Sequence, residues 1–174
     1  MRERMRGRWA VLGGVAALAF SIPTTAPALA DESAPALQEV SVPAGAEVIR
    51  GTAAVPGAEP SRVGLFAAAP SSSECLGPVA AYGAQGCFQH YGDTTWSGDT
   101  VADGMSAAVG VYTDYGRASF VCINNQGAGT WATCKKDYWE DGDVQLRVLR
   151  YDGDTGKFYQ PEAWSGWIPA DGQF

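Results

Sequence analysis

The 174-residue chain holds one histidine, His90, and none of its four cysteines belongs to a Cys-x-x-Cys pair. Tetrahedral zinc needs closely spaced thiolate and imidazole ligands, so no zinc site is expected. No Gly-x-Ser-x-Gly elbow occurs. A Ser-His-Asp arrangement would have to use His90, whose nearest acid, Asp93, lies three residues on in what reads as a strand and turn. Beyond residue 30 no apolar run is long enough to cross a bilayer, and none repeats at i, i+3 and i+4. Membrane insertion is therefore not expected of that part. Basic residues are scarce, 12 Lys and Arg against 19 Asp and Glu, for a net charge of −7. That balance repels phosphate-rich partners, and nucleic acid is not expected to bind.

The N-terminus has the organisation of an export signal. Arg2, Arg4, Arg6 and Arg8 form a positive region, Trp9 to Phe20 an uncharged and mostly apolar run, and Ala28-Leu29-Ala30 a small-x-small cleavage pattern. The apolar run would span roughly 18 Å as a helix, short of a hydrocarbon core of about 30 Å. The expected product is an extracellular protein beginning at Asp31. No adjacent Arg pair precedes the apolar run and no Cys follows the cut, which favours the general export route without a lipid anchor. Cleavage removes four arginines and one glutamate, leaving the remainder more acidic still.

Residues 31–74 are rich in Ala, Pro, Ser, Glu and Gly, with Phe66 as their one aromatic. Such a segment buries too little apolar surface to offset chain entropy, and it reads as a flexible leader or a pro-segment. Two pieces, Glu47 to Ile49 and Arg62 to Phe66, have the composition of edge strands. From Cys75 to Phe174 the chain turns aromatic and β-branched, the composition of strands. Val144-Gln145-Leu146-Arg147-Val148 alternates most clearly. Segments 107–113, 118–123, 130–135, 87–91, 94–97, 157–160 and 164–168 follow the same pattern, separated by Asn-, Asp- and Gly-rich turns. The expected fold is all-β, a small antiparallel β-sandwich or barrel stabilised by two disulfides behind a disordered N-terminal segment. An α+β domain with a helix in 76–86 is the competing arrangement.

Four cysteines in an exported chain imply two bonds and allow three pairings. Cys122 and Cys134 flank the turn around Gly127-Ala128-Gly129, and a hairpin closing there would set them opposite one another. That favours Cys122–Cys134 and leaves Cys75–Cys87. Ala102-Asp103-Gly104 with Ser106-Ala107, Cys122-x-Asn124 with Gly127-Ala128-Gly129 and Cys134, and Tyr151-Asp152-Gly153 resemble small exported proteins of actinomycetes over about residues 87–168. The resemblance implies export and a β body. It carries over no activity and no site residue.

The sequence offers four kinds of candidate site. Paired carboxylates for glycoside cleavage would come from Asp99, Asp103, Asp114, Glu140, Asp141, Asp143, Asp152 and Asp154, nearly all beside Gly in turns, where Asp bonds its own backbone. Asp152 and Asp154 are a weak calcium candidate, and a looser site could draw in Glu140, Asp141 and Asp143. The EF-hand pattern itself fails, because its closing Glu position is Ala163. Trp96, Trp131, Trp139, Trp164 and Trp167 are many for one small domain, and Trp96, Trp131, Tyr138 and Trp139 are candidates for stacking on a sugar, although strand tryptophans more often fill a core and one or two are expected at the surface in either case. The loop 124–130, clamped between two cysteines, has the outline of a protease-inhibitor loop, but its glycines suit a structural hairpin. The reading is a secreted, non-catalytic, monomeric binding domain for an extracellular glycan or protein, with no cofactor. A glycan-binding module is the first alternative, and a protease inhibitor or small hydrolase the second.

Overall fold

The alternation at 144–148 becomes the middle of the longest central strand, β10 (Asp143–Asp152), with Val144, Leu146 and Val148 completely buried. Around it the computed structural model describes residues 37–54, 70 and 74–174, and among these there are eleven strands and no helix. The export signal and the expected strand Arg62–Phe66 lie outside the described residues. One sheet runs in the order β1 (Glu39–Val40), β11 (Lys157–Pro169), β10, β7 (Ser106–Thr113), β8 (Phe120–Asn124), β2 (Glu47–Arg50). The second runs β3 (Thr52–Ala53), β9 (Trp131–Lys135), β6 (Thr94–Asp99), β5 (Ala84–Gln89), β4 (Leu76–Ala81). The fold is all-β with two disulfides. The pairing is antiparallel as expected except at one edge, where β2 pairs with β8 in parallel. Segment 76–86 is strand, turn and strand rather than helix, with Gly83 at φ 84° turning β4 into β5.

Residues 37–54 belong to this body. β1 and β2 are the two edges of the first sheet and β3 an edge of the second, so the description of 31–74 as a flexible leader does not hold for that stretch. The reason is geometric as well as compositional. β1 and β2 sit at opposite edges of a six-stranded sheet, yet only residues 41–46 join them. Five strand spacings of ~4.8 Å make about 24 Å in a flat sheet, nearly the full reach of the connecting chain. The connection is not extended, because Ala46 N–H donates to the Pro43 carbonyl across a turn. The sheet therefore curls towards this strap, and its concave side encloses a small apolar cluster. Ala108, Val121, Ile123, Leu149 and Phe158 form it, with Val40 and Val42 of the strap packed against it.

The convex side carries the main core. Val109, Val111, Phe120, Val144, Leu146, Val148 and Ile168 from the first sheet meet Val79, Ala84 and Phe88 from the second. Gly86 makes the contact close, since a Cβ there would stand 2.6 Å from Val109 Cγ2. The two disulfides form as expected, but one does so for a different reason. Cys75–Cys87 links neighbouring segments of the second sheet, at a Cα separation of 5.3 Å. Cys122–Cys134, at 5.8 Å, does not cross a hairpin; β8 and β9 lie in different sheets, so this bond ties one sheet to the other. Each closes a loop of 12 residues, for which chain entropy gives roughly 2–3 kcal/mol.

Candidate functional site

None of the tryptophans among the described residues is buried. Trp139, Trp164 and Trp167 are 62, 45 and 47% exposed, and Trp96 and Trp131 are partly exposed. The core is built from Val, Leu, Ile and Phe instead, so the expectation that tryptophan fills it is corrected. Trp96 and Trp131 meet edge to face, 6.4 Å between ring centres, and the Trp96 indole N–H donates to Gln89 Oε1. Tyr138 offers no stacking face. It is 5% exposed, packed against Phe88 and Phe120, and burial pushes its phenol pKa upward.

The exposed rings fall into two groups. The first lies on the concave side of the curled sheet, and a bulge creates it. Residues 164 and 167 are three apart, so in a regular strand they would face opposite ways. Here Gln145 pairs with Trp167 and Arg147 with Trp164, two steps on β10 against three on β11. The extra residue brings both indoles to the face shared by Gln145 and Arg147. Ser165 secures the irregularity: its Oγ accepts from Leu146 N–H, and its carbonyl accepts from Gln145 Nε2. Tyr112, opposite Gln145 on β7, stands 4.9 Å from Trp164 between ring centres. Arg147 lies 5.1 Å over the Trp164 ring. Its guanidinium donates through Nε and Nη2 to Glu162 Oε2, and through Nη1 to the Ser41 carbonyl and the Tyr112 hydroxyl. Burial works against its charge, but the bonds with Tyr112 and Glu162 outweigh it and raise the pKa.

The second group lies in the loops at one end of the body. Trp139 stacks on Tyr115 at 4.6 Å and 13°, and its backbone N–H donates to the Tyr115 hydroxyl. Together with Gly116, Arg117 and Asp137 they line an open cleft of about 490 Å³. Beneath it Asp93 is 8% exposed and accepts from Tyr138 N–H. Burial raises the Asp93 pKa, with Glu140 and Asp137 adding to the effect against the Tyr138 bond.

The remaining expected sites are arranged as follows. Asp152 Oδ1 accepts from the N–H groups of Asp154 and Thr155, and Oδ2 from the Thr155 hydroxyl, so its carboxylate closes the β10–β11 turn. Ten-residue β10 separates that turn from Glu140, Asp141 and Asp143 by about 30 Å, which rules out the looser calcium site that would join them. Among the described residues no three His, Cys, Asp or Glu side chains converge on a metal position. His90 Nδ1 is buried without a hydrogen-bond partner among the described residues, and the ring lies against Gly172. Asp99 is 3% exposed and pushed up to about 6, mainly by burial; its Oδ1 accepts from Val101 N–H. Asp103 accepts from Met105 N–H and pairs with the buried Arg150 at 3.2 Å. The inhibitor-like loop is pinned from inside: Asn124 Nδ2 donates to the carbonyls of Ser97 and Thr130, and the Thr130 hydroxyl to the Gly127 carbonyl. That folds 124–130 into a bent turn, whereas a protease cleft takes an extended strand.

Comparison with protein-family models, with curated proteins and with solved structures finds no match to this chain. The two disulfides mark an oxidising, extracellular type of environment, and among the described residues no helix is long and apolar enough to cross a membrane.

Proposed function

We propose that the protein is a secreted, non-catalytic glycan-binding module, and that neutral sugars stack on the concave face at Trp164 and Trp167. One observation carries this reading. Two half-exposed indoles and Tyr112 share a face with Gln145, Arg147 and Glu162, whose polar groups are held in place by hydrogen bonds. Flat apolar rings bordered by a few oriented polar groups suit sugars, which present an apolar ring face and a rim of hydroxyls. The Glu162 carboxylate neutralises Arg147, so the face has no free cation to draw in an anion. Export fits the N-terminal signal pattern and the oxidised cysteines.

Titration calorimetry against neutral β-linked oligosaccharides, five to six units long, tests the reading. Binding is expected, and Trp164→Ala is expected to weaken it about tenfold, which corresponds to ~1.4 kcal/mol. Binding of every sugar unchanged by Trp164→Ala, or no binding of any, overturns it.

A further inference from the structure

We infer that the end cleft is a second and separate site, built for a sugar ring that carries a carboxylate, such as a uronic acid residue. The argument starts from charge. The described residues include seven Arg and Lys, of which Lys136, Arg147, Arg150 and Lys157 are paired with carboxylates. Among the described residues Arg50, Lys135 and Arg117 have no such pair, and of the three Arg117 lines the end cleft. The Arg117 guanidinium makes no hydrogen bond or ion pair among the described residues, and it lies 5.6 Å over the Tyr138 ring. In a chain of net charge −7, Arg117 brings a guanidinium with no bonded carboxylate to an open cleft; Asp93 lies near enough to attract it but accepts from Tyr138 N–H.

Its placement is fixed by the backbone. Thr113 Oγ1 accepts from Arg117 N–H and donates to the Arg117 carbonyl, so the turn after β7 holds the residue at the cleft wall. The buried Tyr138 ring supports the guanidinium from behind, and cation–π contact leaves its N–H groups free. A planar fork of this kind matches a carboxylate with two parallel hydrogen bonds. The facing wall is the Trp139 ring, 62% exposed and kept flat by its stack on Tyr115. Asp137 adds an acceptor for ring hydroxyls. The cleft, about 490 Å³, falls within the range of small-ligand sites. An aromatic wall, an unpaired fork and a hydroxyl acceptor together describe one acidic sugar ring. Asp137 and the acidic surface also select against densely charged polyanions.

The test uses the full chain with both disulfides formed, and two probes: a xylo-oligosaccharide bearing a single glucuronate, and the same oligosaccharide without it. Amide and indole NMR shifts are followed during titration. The acidic probe is expected to shift Arg117, Asp137 and the Trp139 indole, with an affinity at least tenfold above the neutral probe at those signals. Arg117→Gln is expected to remove that tenfold preference, while Trp164→Ala leaves it unchanged. Both side chains are at the surface, and an unchanged amide spectrum elsewhere verifies folding. Equal affinity of the two probes at the cleft overturns the inference. So does an acidic probe that shifts only the Trp164 and Trp167 signals, or an acidic preference that survives Arg117→Gln. This site stands independently of the concave-face reading: loss of neutral-sugar binding at Trp164 would defeat that proposal and leave this one to its own signals.

Discussion

Arg147 on the concave face and Arg117 in the end cleft both stand beside exposed tryptophan and tyrosine rings, yet they are held in opposite ways. Arg147 rests on a strand buried on both sides, donates to Glu162, Ser41 and Tyr112, and is 8% exposed. Arg117 sits in a turn, is exposed, and lies over the Tyr138 ring, its guanidinium making no hydrogen bond or ion pair among the described residues. The difference follows from what builds each surface. A sheet face brings strands ~4.8 Å apart and supplies cross-strand partners, so a charge placed there meets its counter-charge. A loop end supplies fewer neighbours and leaves a charge for solvent or ligand. The same two residue types, arginine and tryptophan, thus make a neutral platform in one place and a cationic fork in the other.

The largest expected effect comes from breaking the platform through its bulge. Deleting Ser165 and Gly166 together would leave Trp164 and Trp167 adjacent on a regular strand, so either Trp164 turns into the core or Ile168, 1% exposed, leaves it. The expected cost is roughly 3 kcal/mol or more, comparable to removing a large core side chain, and denaturant unfolding measures it. Trp139→Ala, at the loop-built surface, is expected to cost about 1 kcal/mol or less, since it removes one stacked pair. Comparable costs for the two changes would contradict the contrast between sheet-built and loop-built surfaces.

A third arginine marks the buried extreme. Arg150, 3% exposed, pairs with Asp103, and Asp103 raises the pKa of Asp99 alongside the larger effect of burial. Asp99 moves from 3.8 to about 6 on folding. The folded state therefore binds a proton that the unfolded state releases. The resulting stability is fully present below pH 3.8 and is lost as pH rises through about 6. Asp99→Asn keeps the acceptor for Val101 N–H and removes the titration. Relative to that variant, the wild type is expected to gain at most about 3 kcal/mol between pH 7 and pH 4. A difference that stays flat with pH, in urea titrations at each value, would show that Asp99 is not held in this way.

Glu162→Gln sharpens the comparison more gently. It leaves Arg147 with a neutral partner, at an expected cost of about 1–2 kcal/mol, because the pair is partly exposed rather than sealed from water. The concave face would then resemble the cleft and begin to accept the glucuronate probe, with new shifts at the Trp164 indole. A variant that folds but still rejects the acidic probe there would mean that charge pairing is not what separates the two surfaces.

The strands and cysteines were legible in the chain because their signals are local. Period-two alternation at 144–148 reports burial directly, and Asp-Gly turns mark the hairpins. The surfaces were not legible, because each depends on pairing between distant segments. Trp164 and Trp167 share a face only through the register of β11 against β10; Gly166 inside an aromatic strand was the available sign of a bulge. Nothing near residue 147 announces Glu162 or Ser41 as its partners. Tyr138 and Trp139 are adjacent in sequence, yet one is buried beneath the cleft and the other forms its wall. The spacing of Cys122 and Cys134 about a turn suggests a hairpin bond, but equal spacing cannot reveal that the flanking strands enter different sheets, which this disulfide joins.

The smallest effect separates the two surfaces by screening alone. An exposed guanidinium and a carboxylate attract across water, and the Debye length falls from about 10 Å at 0.1 M salt to about 3 Å at 1 M. Binding of the glucuronate probe at Arg117 is expected to weaken about threefold over that range. Binding of the neutral oligosaccharide at Trp164 is expected to hold steady or tighten slightly, because stacking is apolar and salt does not screen it. Calorimetry at the two salt concentrations reads both. Equal salt dependence at the two surfaces would mean that the Arg117 charge contributes nothing to capture, and the cleft would then be an aromatic surface like the other.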